Sequence, residues 1–137
     1  MKHLRIVFAF FSVLLLATFV YAAAQHGGSG VKEYDDFHEV LRHLQHEALP
    51  ANDMKTIRSR AKELIKLGDA IVTLGVPKGT KEDKVEAFKQ GLQKFSDSLK
   101  KYGADADNGT DENLKTSYMA VHDTFEELAD ILPRKSH

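Results

Sequence analysis

Phe37-His38-Glu39-Val40-Leu41-Arg42-His43-Leu44-Gln45-His46-Glu47 is the stretch from which the rest of the chain is read. Phe37, Leu41, Leu44 and Ala48 recur at the i, i+4, i+7 spacing of a helix with one buried stripe. The spacing predicts a first helix over 31–47, ending before Leu49-Pro50, because a residue preceding proline is pushed out of helical geometry. Three histidines lie beside or behind the stripe.

Three further amphipathic stretches follow. The second starts at a cap on Asn52 or Asp53 and carries Met54, Ile57, Ala61, Leu64, Gly68, Ile71 and Leu74 or Gly75, ending at Gly75-Val76-Pro77. Gly68 on the buried side suggests either close approach of a neighbouring helix or a tolerated weak spot. Thr80 and Asp83 form a loose capping box ahead of the third stripe, Val85, Phe88, Leu92, Phe95, Leu99 and Tyr102. Gly103 is the expected stop, with a polar loop through Thr110. The loop's alternating acids lack the spacing and terminal Glu of an EF-hand. The fourth helix, about 111–131, carries Leu114, Tyr118, Val121, Phe125, Leu128 and Leu132. No stretch alternates with period two, so no sheet is expected. Four such helices with short connections predict an all-α, antiparallel up-down-up-down four-helix bundle over 31–137.

The chain opens on a short basic segment, then a 15-residue apolar run from Ile6 to Val20, then Ala22-Ala23-Ala24. This is the pattern of a secretory signal peptide over 1–24, cleaved after Ala24. It implies a periplasmic or secreted protein with no membrane association after cleavage. An uncleaved anchor is the rival, since 19 largely apolar residues from Ile6 to Ala24 are just within spanning range. Residues 25–30, with three glycines, read as a flexible lead-in. Removing Lys2 and Arg5 leaves 17 basic against 20 acidic side chains, net −3 with His neutral. That balance argues against a nucleic-acid partner. The chain has no cysteine. This excludes a thiolate nucleophile, thiolate metal ligands and haem attached through Cys-x-x-Cys-His.

The histidines carry the remaining chemistry. At about 100° per residue, His38 lies roughly 80° off the centre of the first stripe, and His122 is displaced by the same amount and in the same sense on the fourth. On antiparallel helices such flanks either face each other or both face away, according to the hand of the bundle. Their axial levels match, so His38 and His122 could meet between the first and last helices. His46 is eight residues from His38, about 12 Å along the axis, too far to share one ion. A second metal site would use His43, His46 and Glu47 at i, i+3, i+4, with Asp53 across the turn. The competing readings are a half-buried packing role for His38 and His122 and a solvated face for His43 and His46. Imidazole and carboxylate without thiolate suit Zn²⁺, Cu²⁺ or Ni²⁺. No nucleophile or oxyanion pattern accompanies them, so sequestration or sensing is expected in place of catalysis.

The Tyr118-Met119-Ala120-Val121-His122 segment, in a cysteine-free four-helix chain, resembles the soluble periplasmic four-helix cytochromes. Their b-type members carry an axial histidine near the end of helix 4 and a methionine early in helix 1. Here His38 stands at the methionine's place, and the c-prime members' Cys-x-x-Cys-His is missing. The resemblance implies a non-covalent haem b with His38 and His122 as axial ligands, in an electron-transfer protein. Phe37-His38-Glu39 and His46-Glu47-Ala48-x-Pro50-x-x-Asp53 also look like small secreted bacterial bundle proteins of unassigned role. The expected partner is thus a metal ion or haem, with a homodimer admitted. The third expectation is a cofactor-free interaction or scaffold protein.

Overall fold

The computed structural model describes residues 28–133; the expected signal peptide and the start of the lead-in lie outside the described residues. The described chain is all-helical: α1 (Lys32–His43), a π-turn (Leu44–Ala48), α2 (Met54–Ser59), α3 (Ala61–Leu74), α4 (Glu82–Asn108) and α5 (Asp111–Asp130). No strand occurs among the described residues, and no helix there is long and apolar enough to cross a membrane. The end of the lead-in is docked: the Ser29 amide donates to the Asp35 carboxylate at 2.7 Å.

α1 places acids in its first turn and Arg42 and His43 in its last, matching the helix dipole at both ends. It buries Tyr34, Phe37, Val40 and Leu41 and passes directly into the π-turn, which buries Leu44 and Ala48. The helical run stops at Pro50 as expected, yet Leu49 itself keeps helical angles, φ −64° and ψ −48°. Asn52 then turns the chain at φ 52°, a left-handed angle that asparagine tolerates better than most residues.

The expected second helix is divided. α2 and α3 meet at Arg60, with φ −90° and ψ 0°. The buried Tyr102 hydroxyl donates to the Ile57 carbonyl at 2.7 Å, within the last turn before the break. That carbonyl serves α4 at the point where α2 stops. A related diversion marks the π-turn: the buried Tyr118 hydroxyl donates to the Leu41 carbonyl at 3.4 Å, one turn ahead of the irregular segment. Each irregularity in the first half of the chain thus lies beside a carbonyl that serves a distant tyrosine.

Gly103 does not stop the third stripe. α4 continues to Asn108, and the expected loop shrinks to Gly109 and Thr110. The reason lies fifty residues away. Arg58 Nη1 donates to the Asp105 and Ala106 carbonyls, both at 2.9 Å, and Nη2 to the Gly109 carbonyl at 3.1 Å and Asp111 Oδ1 at 2.8 Å. The Asp105 carbonyl also accepts the Gly109 amide at 2.8 Å, while the Ala106 and Gly109 carbonyls past the last helical bond are met by the one planar guanidinium. Thr110 then caps α5 by accepting the Asn113 amide at 3.1 Å. Thr80 does not act as a capping box; its hydroxyl donates to the Pro77 carbonyl at 2.7 Å.

The core joins all these elements. A Cβ on Gly68 would lie 2.6 Å from Leu99, and one on Gly91 would lie 2.8 Å from Leu128. The absence of a side chain lets α3 and α5 each approach α4 closely. α1 packs close to α3 and reaches α5 chiefly through side chains. Phe37, Phe95 and Phe125 fill the middle, with Phe37 edge-on to Phe95 at 5.3 Å between centroids.

Candidate functional site: the α1–α5 seam

Phe125 of α5 is the hub of the seam. The His38 ring lies nearly parallel to it, 17° between planes and 6.0 Å between centroids. Tyr34 and Phe37 meet the same ring at 5.9 and 4.7 Å. One turn further along α1, Leu41 is joined to Tyr118. Rising numbers on α1 therefore meet falling numbers on α5, and the two helices are antiparallel. His122 lies between Tyr118 and Phe125 in sequence, so it falls at the level of residues 38–41.

Azimuth follows from contacts as well. Thr124 and Leu128 face α4, where Thr124 meets Ser98 at 2.9 Å and Leu128 covers Gly91. Tyr118 and Phe125 face α1. At about 100° per residue, His122 lies roughly 60° from Phe125, on the side away from Thr124 and Leu128. The flank bearing His122 and the flank bearing His38 thus border the same seam. His38 is exposed and takes part in none of the described hydrogen bonds. His122 is 23% exposed, with Nδ1 3.1 Å from Asp123 Oδ1.

Of the residues expected to form a second site, His43 and Glu47 come together. His43 Nδ1 pairs with Glu47 Oε2 at 3.1 Å, and His46 is exposed. Asp53 is engaged as the cap of α2: it accepts the Thr56 amide at 3.0 Å and the Thr56 hydroxyl at 2.7 Å. Those bonds from Thr56 hold the Asp53 carboxyl below its ordinary range. The π-turn winds less per residue than an α-helix, which keeps His43 and Glu47 together at i, i+4 and turns His46 away from them. Among the described residues, no three His, Asp or Glu side chains converge as a metal-holding group.

Two features escaped the sequence. Tyr34 is 1% exposed, and its hydroxyl finds no hydrogen-bond partner among the described residues. Burial pushes that hydroxyl above the ordinary tyrosine range. A shallow groove of about 320 Å³ lies between α2–α3 and the last turns of α4, lined by Arg58, Lys62, Ile65, Gly103, Ala106 and Asp107. It is bordered by none of the candidate histidines. No local pattern marks Arg58 or Tyr34, because what distinguishes them is set by partners far along the chain. In comparisons with family models, curated proteins and solved structures, nothing matches this chain.

Proposed function

We propose that the chain holds one divalent transition metal ion, Zn²⁺, Cu²⁺ or Ni²⁺, at the α1–α5 seam through His38 and His122. The supporting observation is the stack of His38 on Phe125, one turn from His122 on the flank that borders the same seam. His38 is exposed and can turn about its side-chain bonds toward an ion held by His122, with water completing the coordination. Neutral imidazole suits these three ions, and a site of this kind sequesters or senses the metal. Haem b with bis-histidine ligation is the second reading. It is the weaker one because the Phe125 ring, with Tyr34 and Phe37 on it, fills the place a porphyrin would take between the two histidines. A cofactor-free scaffold is the third.

The same proposal includes export, with cleavage after Ala24, and a bundle of four rods. In it, α1 with its π-turn, α2 with α3, α4 and α5 run up, down, up and down. The successive packing of α1 on α3, α3 on α4 and α4 on α5, together with the antiparallel seam, supports that arrangement.

Calorimetric titration of tag-free protein tests the reading. One ion is expected per chain, with at least tenfold weaker binding in His38→Ala and in His122→Ala and unchanged binding in His43→Ala. No binding by the native chain, or full binding by the double variant, overturns it. A Soret band in freshly purified protein would transfer the conclusion to haem.

A further inference from the structure

The two seam histidines are held in different ways. His38 is stacked and has no described hydrogen bond, whereas the Nδ1 of His122 lies 3.1 Å from Asp123 Oδ1. A carboxylate has no hydrogen to give, so in a neutral imidazole this contact can be completed only with the proton on Nδ1. The other nitrogen, Nε2, must then carry the lone pair. The ring has limited freedom to escape this arrangement, being 23% exposed and flanked by the buried Val121 and Phe125. Asp123, 68% exposed, follows His122 on the outer side of α5.

We infer that Asp123 is a positioning residue for His122: its carboxylate fixes the Nδ1–H tautomer and presents the Nε2 lone pair as the donor available to the α1–α5 seam. A metal-binding histidine whose second nitrogen donates to a carboxylate is more basic and better oriented than a free one. His38 supplies the adaptable half of the pair and His122 the prepared half. The nearest rival for this role is Glu126, one turn along α5 and exposed, which makes no described contact with His122.

The role in metal binding rests on the reading proposed above; the tautomer does not, and the experiment separates them. Long-range ¹H–¹⁵N correlation spectra of the tag-free chain, in alkaline buffer without metal, report which nitrogen of His122 bears the proton. The native protein is expected to show mainly Nδ1–H. Asp123→Ala shifts His122 to mainly Nε2–H, the form a free imidazole prefers. Asp123→Asn keeps an acceptor oxygen and so retains much of the native tautomer, and Glu126→Gln leaves it unchanged. Zn²⁺ titration of the same proteins is expected to show about tenfold or greater weakening in Asp123→Ala. A native His122 that is mainly Nε2–H, or an Asp123→Ala spectrum like the native one, overturns the inference. If the tautomer shifts as expected but Zn²⁺ binds neither protein, the positioning role stands and the metal reading falls.

Discussion

At the α4–α5 turn, Arg58 uses four N–H groups on three carbonyls and a carboxylate, and Tyr102 gives its hydroxyl to Ile57. Asp105 beside them is bound by Lys101 at 3.1 Å. Along the α1–α5 seam Tyr118 serves the Leu41 carbonyl, but among the described residues the Tyr34 hydroxyl and His38 have no partner, and His122 reaches only its sequence neighbour. Both regions carry polar side chains against the same core. In one, those groups are committed to holding helices together; in the other, hydrogen-bonding capacity is left over. Capacity that the fold does not consume is where a ligand can act, and that contrast supports the metal site proposed at the seam.

The largest expected effect is at the clasp. Arg58→Ala should destabilise the protein by on the order of 2–3 kcal/mol, because charged hydrogen bonds are lost and helix-end carbonyls lose their partner. Arg58→Lys should recover only a minor part, since an ammonium cannot reproduce the fork. Chemical denaturation of the three proteins measures both. An alanine variant within about 0.5 kcal/mol of native would remove the clasp side of the contrast.

The tyrosines give a sharper test through sign. Tyr102→Phe should cost roughly 1–2 kcal/mol, because the Ile57 carbonyl is left buried without its donor. Tyr34→Phe should raise Tm, since it removes a buried hydroxyl that has no partner among the described residues. Equal losses in the two variants would show that the Tyr34 hydroxyl is satisfied after all, and the seam would lose one of its uncommitted groups.

Acid titration should separate the regions more gently. The hydrogen bond and charge of Lys101 hold the Asp105 carboxyl below its ordinary 3.8. A group whose pKa is lower folded than unfolded contributes stability in full above the unfolded value, and loses it as pH falls through the folded one. The native protein should therefore lose stability below about pH 4. Asp105→Asn should flatten that part of the curve while His38→Ala leaves its shape unchanged. A native and an Asp105→Asn curve of the same shape would show that the carboxylate is not coupled to folding.

Much of the fold was legible because helical burial repeats locally. Phe37, Leu41, Leu44 and Ala48 are all buried, as are Phe88, Leu92, Phe95, Leu99 and Tyr102. Gly68 sits against Leu99, as its place on the buried side suggested. The errors fall where a distant side chain overrides a local signal. Gly103 is a reasonable stop until Arg58 caps the turns beyond it, and Arg60 interrupts a run that looks continuous until Tyr102 takes the carbonyl of Ile57. The flanks of His38 and His122 were readable from spacing, but whether they met depended on the hand of the packing, which no local pattern encodes. Asp53 was assigned both a cap and a possible ligand role, and its two bonds from Thr56 show the cap.

The bare backbones at Gly68 and Gly91 have one more consequence. They seat α4 tightly between α3 and α5, so the molecule has a stiff spine along one side. α1 leans on α5 through aromatic rings and one long hydrogen bond from Tyr118 to Leu41, and such contacts can slide where backbones cannot. When the native state breathes, the first gap should open along that softer edge. The slowest amide exchange should sit in the middle of α4, and whatever enters the interior should come in past Phe125.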